Sequence, residues 1–239
     1  MVKIGDNIKF GEYNWRVLDV QGDRAFIITE TVIDDRKYHD EKNVSVTWEI
    51  CSLRSYLNGE FYDSFVEKDR IIPHNNTNPD NLWYGTKGGN DTIDKIFLLS
   101  LLEVDKYFGN SGDYSAKRNR CDLFYAGNGF SLRKGMPKKR KHNAVDTGEG
   151  FLEYVPDKYG WFISNAYDDS RSAREHYDWE DYNNELVGWR LRSPGKSDDF
   201  IASVMCEGAV SVFGGGVNVS NGVRPALWLK LDESKSGKK

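Results

Sequence analysis

Cysteine, methionine and proline are all scarce in this chain, with three, three and six copies among 239 residues. Cys51, Cys121 and Cys206 stand far apart, form no CxxC pair and belong to no Cys/His cluster with zinc-ligand spacing. An odd number of cysteines in a chain of this length argues against a disulfide framework. We therefore expect the thiols to be reduced and mostly packed, and we expect no metal and no cofactor.

Long apolar runs and an excess of positive charge are missing as well. No stretch is long enough to cross a membrane as a helix, and no signal-peptide pattern is visible at the first residues. The formal net charge is -4 and the pI is near 5.7, which argues against a nucleic-acid-binding protein. We expect a cytoplasmic protein, or one that has lost a leader and works at the cell surface or on a virion.

The motifs of known catalytic sites are also missing. The four histidines are scattered and form no HExxH pair, and no serine or cysteine stands in a nucleophile elbow. The run Gly214–Gly216 lacks the residues that complete a phosphate-binding loop. We therefore assign no catalytic residue and expect a protein that is not an enzyme. The sequence leaves open a pair of carboxylates that meet only in space.

Two charged segments have competing interpretations. The basic stretch from Lys134 to His142 is similar to a nuclear-import or nucleic-acid patch, but it has no interleaved aromatic residues, so we interpret it as a solvated loop. The segment Tyr167–Glu185 holds seven acids, and oxygen-rich loops can bind calcium. However, Arg171 and Arg174 interrupt this charge and no EF-hand pattern is present. A solvated loop is favoured there, with calcium as the alternative.

Aromatic residues are abundant, with 7 Trp, 13 Tyr and 12 Phe. These rings can fill a core without long aliphatic helices, so the body of the chain is not disordered. The apolar patterns are short, and neither an internal repeat nor a linker divides them. The economical interpretation is one α+β domain over residues 1–232, with short helices and twisted antiparallel strands, followed by a polar, disordered tail over residues 233–239.

The first third of the chain predicts a hairpin followed by two helices. Two β-branched and aromatic runs, Trp15–Val20 and Ala25–Thr29, flank a Gly-containing turn, which is the pattern of a β-hairpin. Apolar residues at three- and four-residue spacing predict a helix over Trp48–Leu57, which ends at an Asn-Gly pair. A second short helix is expected over Glu60–Val66.

The middle of the chain alternates between loops and short elements. Residues 75–91 are rich in Asn and Gly and predict a long loop. A buried strand is expected over Asp94–Leu99, and Ser100 and Glu103 then form a capping box that opens a helix ending at Phe108. Residues 110–158 are irregular, and another short strand is expected over Gly160–Ser164.

The last third predicts a C-terminal antiparallel meander. The strand Trp189–Ser193 alternates and ends at a Pro-Gly break. Two hairpins are then expected, with a flexible glycine bend at Gly214–Gly216 between them. The strands of these hairpins are Phe200–Cys206 with Ala209–Phe213, and Val217–Val219 with Val223–Leu231.

Several motifs occur in an order that resembles an uncharacterised domain family common in Firmicutes and their phages, over roughly residues 13–231. The last two motifs are the most specific. In turn, that family resembles the formylglycine-generating-enzyme branch of the C-type-lectin fold, in which Gly222-Val223-Arg224 would stand where that branch has Gly-Phe-Arg. The motifs are Trp48-Glu49, Ser52, Leu53-Arg54, Leu57-Asn58-Gly59, Phe61, Ile96-Phe97-Leu98-Leu99-Ser100, Glu103, Trp189-Arg190-Leu191-Arg192-Ser193-Pro194-Gly195 and Gly222-Val223-Arg224-Pro225-Ala226-Leu227.

The resemblance implies a C-type-lectin-like fold and a non-catalytic module that binds a protein or a glycan, and some relatives of this kind are diversified by retroelements. One alternative is an oxidoreductase of the formylglycine-generating type, which needs two thiols to hold copper. Only Cys206 lies near the C-terminus, although Cys51 could approach it in space. Another alternative is a structural or phage-associated interaction protein with no small ligand.

The predicted ligand-binding surface combines the polar-aromatic insert with the loops of the last strands. Rings among charged residues suit recognition because they offer contact area at low entropic cost. The competing interpretation is an ordinary solvated loop whose rings fold back onto the domain. The predicted ligand-binding residues are Tyr177, Trp179, Tyr182, Lys196, Asp198, Asp199, Phe200, Phe213 and Asn218.

The motif residues themselves are expected to have a structural role in the core. Arg54, Arg192 and Arg224 stand between apolar positions, so each should need a carboxylate or carbonyl partner. Ligand contact is the alternative role for these arginines. The expected core residues among the motifs and the last strand are Trp48, Leu53, Leu57, Trp189 and Trp228.

Overall fold

The structure is a computed structural model, and it describes residues 1–108, 171–174, 186–206 and 208–232 together with the backbone of three further strands. The helices are α1 (Ser52–Asn58), α2 (Glu60–Asp63) and α3 (Leu101–Phe108), with 3₁₀ turns at Trp48–Ile50 and Lys68–Arg70. No helix in these ranges is long and apolar enough to span a membrane. The mixture of short helices and mostly antiparallel strands confirms the predicted α+β class.

Seventeen strands are described. They are β1 (Asn7–Phe10), β2 (Tyr13–Gln21), β3 (Arg24–Thr29), β4 (Asp34–Arg36), β5 (Ile71–Ile72), β6 (His74–Asn76), β7 (Thr92–Asp94), β8 (Ala144–Asp146), β9 (Leu152–Tyr154), β10 (Phe162–Ser164), β11 (Ala173–Arg174), β12 (Leu186–Val187), β13 (Trp189–Pro194), β14 (Phe200–Val204), β15 (Val210–Gly216), β16 (Asn221–Val223) and β17 (Ala226–Lys230). The strand β10 confirms the expectation of a strand over Gly160–Ser164.

One sheet joins the two ends of the described chain. Its strand order is β1-β2-β3-β17-β5, and every pair is antiparallel. The pair β2 and β3 confirms the predicted N-terminal hairpin. The last strand, β17, lies inside this sheet because Trp228 pairs with Phe26 of β3 on one side and with Ile72 of β5 on the other. An interior strand of the first sheet is therefore the last element that the structure describes.

A second, eight-stranded sheet has the order β4-β16-β13-β14-β15-β10-β9-β8. Strands β13, β14 and β15 form the three-stranded meander that the sequence predicts, and only the pair β13 and β16 is parallel. The predicted hairpin between Val217–Val219 and Val223–Leu231 is wrong. Val217–Val219 is a turn, β16 joins the second sheet and β17 joins the first.

Arg224 lies at the crossing from β16 to β17 and explains why the two strands separate. Its side chain is fully buried, and Nε donates to the carbonyl of Thr29 at 2.7 Å while Nη2 donates to that of Glu30 at 3.3 Å. Both acceptors lie at the end of β3, in the first sheet. The guanidinium thereby ties the start of β17 to β3 and turns the chain out of the second sheet. Arg224 has carbonyl partners, as the sequence predicts.

The helical predictions are correct in part. Leu53 and Leu57 are buried on one face of α1, as their spacing predicts, but the predicted helix over Trp48–Leu57 is interrupted. Cys51 has extended backbone angles and caps α1 through its sulfur, which accepts from the N–H of Arg54 at 3.3 Å. Ile50 is consequently 60% exposed rather than buried. The next predicted helix is α2, which ends at Asp63 instead of Val66.

The predicted strand over Asp94–Leu99 is buried but is not a regular strand. A short strand, β7, ends at Asp94, and beyond it only a bridge between Phe97 and Ala226 is described. The capping box that follows is confirmed. The N–H of Ser100 donates to Glu103 Oε2 at 2.7 Å, and the N–H of Glu103 donates back to Ser100 Oγ at 3.2 Å.

Two expectations about small residues are corrected. The glycine run Gly214–Gly216 is not a bend, because β15 continues through it. Gly214 has a φ of +78°, and a Cβ there would lie 2.1 Å from the carbonyl oxygen of Ile201, so only glycine fits this close strand contact. Cys51 is buried as expected, but Cys206 is exposed. Cys121 lies outside the described residues.

Asp94 is a buried carboxylate that gathers donors from three parts of the chain. Arg54 Nε donates to its Oδ1 at 2.6 Å, and Trp48 Nε1 donates to its Oδ2 at 2.8 Å. Asn76 Nδ2 and Thr92 Oγ1 also donate to Oδ2, at 2.9 and 2.7 Å. This confirms the predicted partner for Arg54 and joins α1 to the small β6–β7 sheet.

Arg192 connects β13 to α3 and to the loop after β6. Its guanidinium makes an ion pair with Glu103 and donates to the carbonyl of Leu98 at 2.6 Å. Nη2 donates to the carbonyl of Thr77 at 3.0 Å, and Nε donates to Asn78 Oδ1 at 3.1 Å. The sequence-based expectation of a carboxylate or carbonyl partner is therefore confirmed. All five core candidates, from Trp48 to Trp228, are buried.

Truncation at Gly222 should abolish cooperative folding. The shortened chain lacks β17, so β3 and β5 lose their shared neighbour and the apolar face of the first sheet is exposed. We expect no sigmoidal thermal transition by near-UV circular dichroism. A matched chain that ends at Asp232 should melt like the full chain. A cooperative transition in the Gly222 truncation would show that the core does not depend on β17.

Stability should fall on mild acidification because of His74. Its ring is half-buried, stacks on Phe97 and lies tilted against Trp228, with 5.7 Å between centroids in each pair. Burial lowers the pKa of His74 from its usual 6.5. The unfolded chain then binds the proton more readily than the folded chain. The contribution of neutral His74 to the free energy of unfolding is therefore complete above about pH 6.5, and it is lost as the pH falls through the pKa of His74 in the folded state.

The variant His74→Phe tests this pH dependence, since it keeps a ring between Phe97 and Trp228 but cannot titrate. Urea midpoints at pH 7.5 and 5.0 should differ less for the variant than for the wild type. Equal losses in both chains would assign the acid sensitivity to other groups.

Candidate functional site

The loop between β13 and β14 is the part of the predicted site that the structure describes best. The N–H of Gly195 donates to the carbonyl of Phe200 at 2.6 Å, and the N–H of Phe200 donates to that of Ser197 at 3.0 Å. The N–H of Lys196 donates to the carbonyl of Phe213 in β15 at 2.9 Å. The loop is therefore closed on itself and fixed to the neighbouring strand.

Gly195 is required by this close packing. A Cβ at this position would lie 2.3 Å from the carbonyl oxygen of Phe213 and 2.9 Å from the Cβ of Phe200. Real Cβ atoms do not approach backbone this closely, so the Pro-Gly break in the sequence reflects a tight contact between the loop and β15.

The structure brings Lys196, Phe200 and Phe213 together. Lys196 Nζ lies 4.2 Å from the ring centroid of Phe200 and 4.3 Å from that of Phe213. The two rings meet edge to face at 5.5 Å, and Tyr84 meets Phe213 edge to face at 6.2 Å. Lys196 is exposed and the rings are partly exposed. We call these four residues the Lys196 surface.

Asn81 holds the backbone beneath this surface. Its side chain is fully buried, and Nδ2 donates to the carbonyls of Pro194 and Val212, each at 2.8 Å. Its Oδ1 accepts from the N–H of Trp83 at 2.9 Å. One amide thus links the ends of β13 and β15 to the segment that carries Tyr84.

Asp198, Asp199 and Asn218 lie beside the Lys196 surface. The carbonyl of Asp198 accepts from the N–H of Val46 at 3.0 Å, and the carbonyl of Asp199 accepts from the N–H of Val217 at 3.0 Å. Asn218 follows Val217 in the turn after β15. The Asp198 side chain is exposed, and Asp199 accepts a hydrogen bond from Ser197 Oγ at 2.5 Å. Two carboxylates therefore belong to the same loop as Lys196.

A buried arginine supports the turn that contains Asn218. The guanidinium of Arg190 donates to the carbonyl of Val219, and also to that of Gly216 at 3.4 Å. Burial lowers the pKa of Arg190 to about 10, and it lowers the pKa of Arg224 to about 9. Both groups stay protonated at neutral pH, so they remain donors to backbone carbonyls.

The sequence analysis missed Asn81 and Tyr84 as members of the site. A signal was present, because Trp83 and Tyr84 are two aromatic residues within a loop that is otherwise rich in Asn and Gly. The predicted binding residues Tyr177, Trp179 and Tyr182 lie outside the described residues, as does most of the acidic insert. So does the basic stretch over residues 134–142.

Comparison with known proteins identifies the family. A protein-family model described as a domain of unknown function, DUF6273, matches residues 22–231. The chain belongs to the DUF6273 family. No curated protein and no solved structure matches the chain. The matched span begins in the turn between β2 and β3 and ends just after β17, so the DUF6273 region contains the whole Lys196 surface.

Burial makes the Cys51 thiol of this DUF6273 chain unreactive. Cys51 is fully buried, and this burial raises the pKa of its thiol to about 12. A thiol with such a pKa holds its proton at neutral pH and is a poor nucleophile and metal ligand. In the described parts of the chain, no three His, Cys, Asp or Glu side chains come together as metal ligands.

Replacing Asn81 with Ala should destabilise the DUF6273 domain by about 1–3 kcal/mol per buried carbonyl left unsatisfied. The carbonyls of Pro194 and Val212 have Asn81 as a donor in the interior. Urea denaturation measures the loss. The matched control is Asn90→Ala, because Asn90 is exposed, its side chain donates to the exposed Glu49 side chain, and its carbonyl, which accepts from Asn78, is kept in the variant. The control should change stability by less than about 0.5 kcal/mol. Equal effects would show that Asn81 does not anchor the loop.

Proposed function

We propose that this protein is a non-catalytic ligand-binding module that recognises a protein partner through the Lys196 surface. The observation that carries the proposal is the position of the Lys196 ammonium, which lies on the rings of Phe200 and Phe213 and is exposed. No carboxylate of the described residues lies within ion-pair distance of it. A cation that rests on rings instead of on an acid can pair with a carboxylate of a partner.

The rigidity of the surface supports binding. The backbone that carries the rings is fixed by the hydrogen bonds of Gly195 and Lys196 and by the buried amide of Asn81. Side chains that are already ordered lose little entropy when a partner arrives, so more of the contact energy appears as affinity. Partly exposed aromatic rings with a neighbouring cation are typical anchors of protein interfaces.

The arrangement favours a protein over a glycan. Sugars stack on open, flat ring faces, whereas Lys196 Nζ lies within 4.3 Å of both phenylalanine ring centroids and occupies part of that area. The charges also favour a protein, because Lys196 stands beside Asp198 and Asp199 and such a mixed surface matches mixed charges on a partner.

A C-type-lectin-like architecture is part of the proposal. The meander β13–β14–β15 carries the site on its loops, and loops on a packed scaffold can vary without loss of the fold. The competing oxidoreductase function would need a pair of accessible thiolates, and the burial and high pKa of Cys51 count against its membership of such a pair. An interaction protein with no small ligand remains compatible with the same surface.

Paired variants test the proposal by affinity capture. Phe200→Ala with Lys196→Glu removes the anchor and reverses its charge, and should weaken capture of a specific partner by about 1–4 kcal/mol. The control Lys42→Glu makes the same charge change at an exposed position elsewhere. The Lys196 variant and the Lys42→Glu control must have the same melting temperature for the comparison. Trp179→Ala with Tyr182→Ala, assayed in parallel, tests whether the insert belongs to the same surface.

The outcomes of this experiment are distinct. A protein that the wild type and Lys42→Glu retain, and that the Lys196 variant releases, supports the proposal. A glycan-array signal lost in the same variant would replace the protein partner with a glycan. Identical capture by the wild type, the Lys42→Glu variant and the Lys196 variant would show that the Lys196 surface does not bind the partner.

A further inference from the structure

A cavity lies at the tip of the β1–β2 hairpin, apart from the Lys196 surface. It has a volume of about 350 Å³ and opens between residues 11–13 of the hairpin and residues 64–67 after α2. It shares no lining residue with the Lys196 surface. Neither the sequence patterns nor the proposed function gives it a role.

The shape of this cavity depends on Gly11. The residue has a φ of +58°, and a Cβ there would lie 2.8 Å from the ring of Phe65. Phe10 and Tyr13 pair across the two-residue turn. The hairpin tip therefore packs directly against the segment after α2, and the cavity is bounded by elements of fixed geometry.

Two aromatic residues, Tyr13 and Phe65, line the cavity, and the rings of Phe10 and Phe61 pack against them from behind. Phe65 stacks on Phe10 at 5.2 Å and meets Phe61 edge to face at 5.2 Å. Tyr13, which is only partly buried, lies 6.4 Å from Phe65 and 5.8 Å from Phe61 between ring centroids. Rings that pack against one another in this way have little freedom to turn, so the wall offers a fixed surface to a ligand.

The charged side chains that line the cavity are both carboxylates, Glu12 and Glu67. Among the described residues, none donates to the Glu12 carboxylate; the nearby Lys9 ammonium donates to the Glu12 backbone carbonyl at 2.7 Å. Arg70 pairs with Glu67 at 3.2 Å but also pairs with Asp232 at 3.2 Å. The cavity thus combines aromatic faces with negative charge at its mouth.

We propose that this cavity binds a lysine side chain of a partner protein. An ammonium group can contact a ring face while its three N–H donors reach carboxylates on either side, here Glu12 and Glu67. The apolar stem of lysine matches the exposed Val66 side chain at the rim, which is 99% exposed. A compact ammonium suits two separate carboxylates better than a planar guanidinium, which prefers one carboxylate in a bidentate pair.

Titration of the full chain with a matched pair of small ligands tests this assignment. Nα-acetyl-lysine methylamide carries the ammonium, and Nα-acetyl-norleucine methylamide has a similar stem without it. Amide chemical shifts of Gly11, Glu12, Val66 and Glu67 report binding at the cavity. We expect the lysine ligand to bind at least about tenfold more tightly, and more weakly at high salt.

Variants separate a specific site from general charge attraction. Glu12→Gln should weaken the lysine ligand about threefold to tenfold and leave the norleucine ligand unchanged. The matched control Glu41→Gln removes one exposed carboxylate that does not line the cavity and should have no effect. Because Glu12 is exposed, its variant should melt like the wild type.

Three results would overturn the proposal. The first is equal affinity for the lysine and norleucine ligands, and the second is an equal effect of the two glutamate variants. The third is tighter binding of choline or of an arginine ligand than of the lysine ligand, which would assign the cavity to a different cation. Shifts at these four amides that depend on the ammonium and on Glu12 would support it.

Discussion

The buried guanidinium of Arg192 is the interaction on which the arrangement of the second sheet and its neighbours depends. A guanidinium has five N–H donors and keeps its charge when buried, so it is stable only where acceptors surround it. Here the acceptors are Leu98, just before α3, Glu103 in its first turn, and Thr77 and Asn78 in the loop after β6. Loss of the side chain would remove the donor to the carbonyl of Leu98 and to Asn78 Oδ1 and would break the ion pair with Glu103, which would keep its hydrogen bonds from Ser100.

The loop after β6 connects Arg192 to the Lys196 surface. Arg192 holds the loop at Thr77 and Asn78, and a few residues later Asn81 binds the carbonyls at the ends of β13 and β15. Hydrogen bonds at these two places fix the loop to the second sheet, and the loop presents Tyr84 beside Phe213. A surface built from three chain segments is rigid because buried polar groups, rather than apolar contacts alone, fix the segments to one another.

Sequence reasoning found the β13–β14 part of the candidate site and missed the rest for a physical reason. Breaks in the strand patterns precede or flank Lys196, Phe200 and Phe213. The local sequence therefore predicts that these residues lie at the surface. Tyr84 and Asn81 are more than a hundred residues away along the chain, and only tertiary contacts bring them there. The hairpin-tip cavity has the same origin, since Gly11 and Phe65 come from separate elements.

The sequence by itself determined the α+β class, the N-terminal hairpin, the capping box of α3 and the core positions of the motif residues, because these follow from local periodicity and from hydrogen bonds between residues close in the chain. Only the tertiary structure decided where the last strand goes. Its pattern fits a hairpin with the preceding segment equally well, but Arg224 finds its acceptors at Thr29 and Glu30, and pairing with β3 follows. The sequence of a strand shows its apolar pattern. Which strand it pairs with depends on buried donors that must meet acceptors elsewhere in the chain.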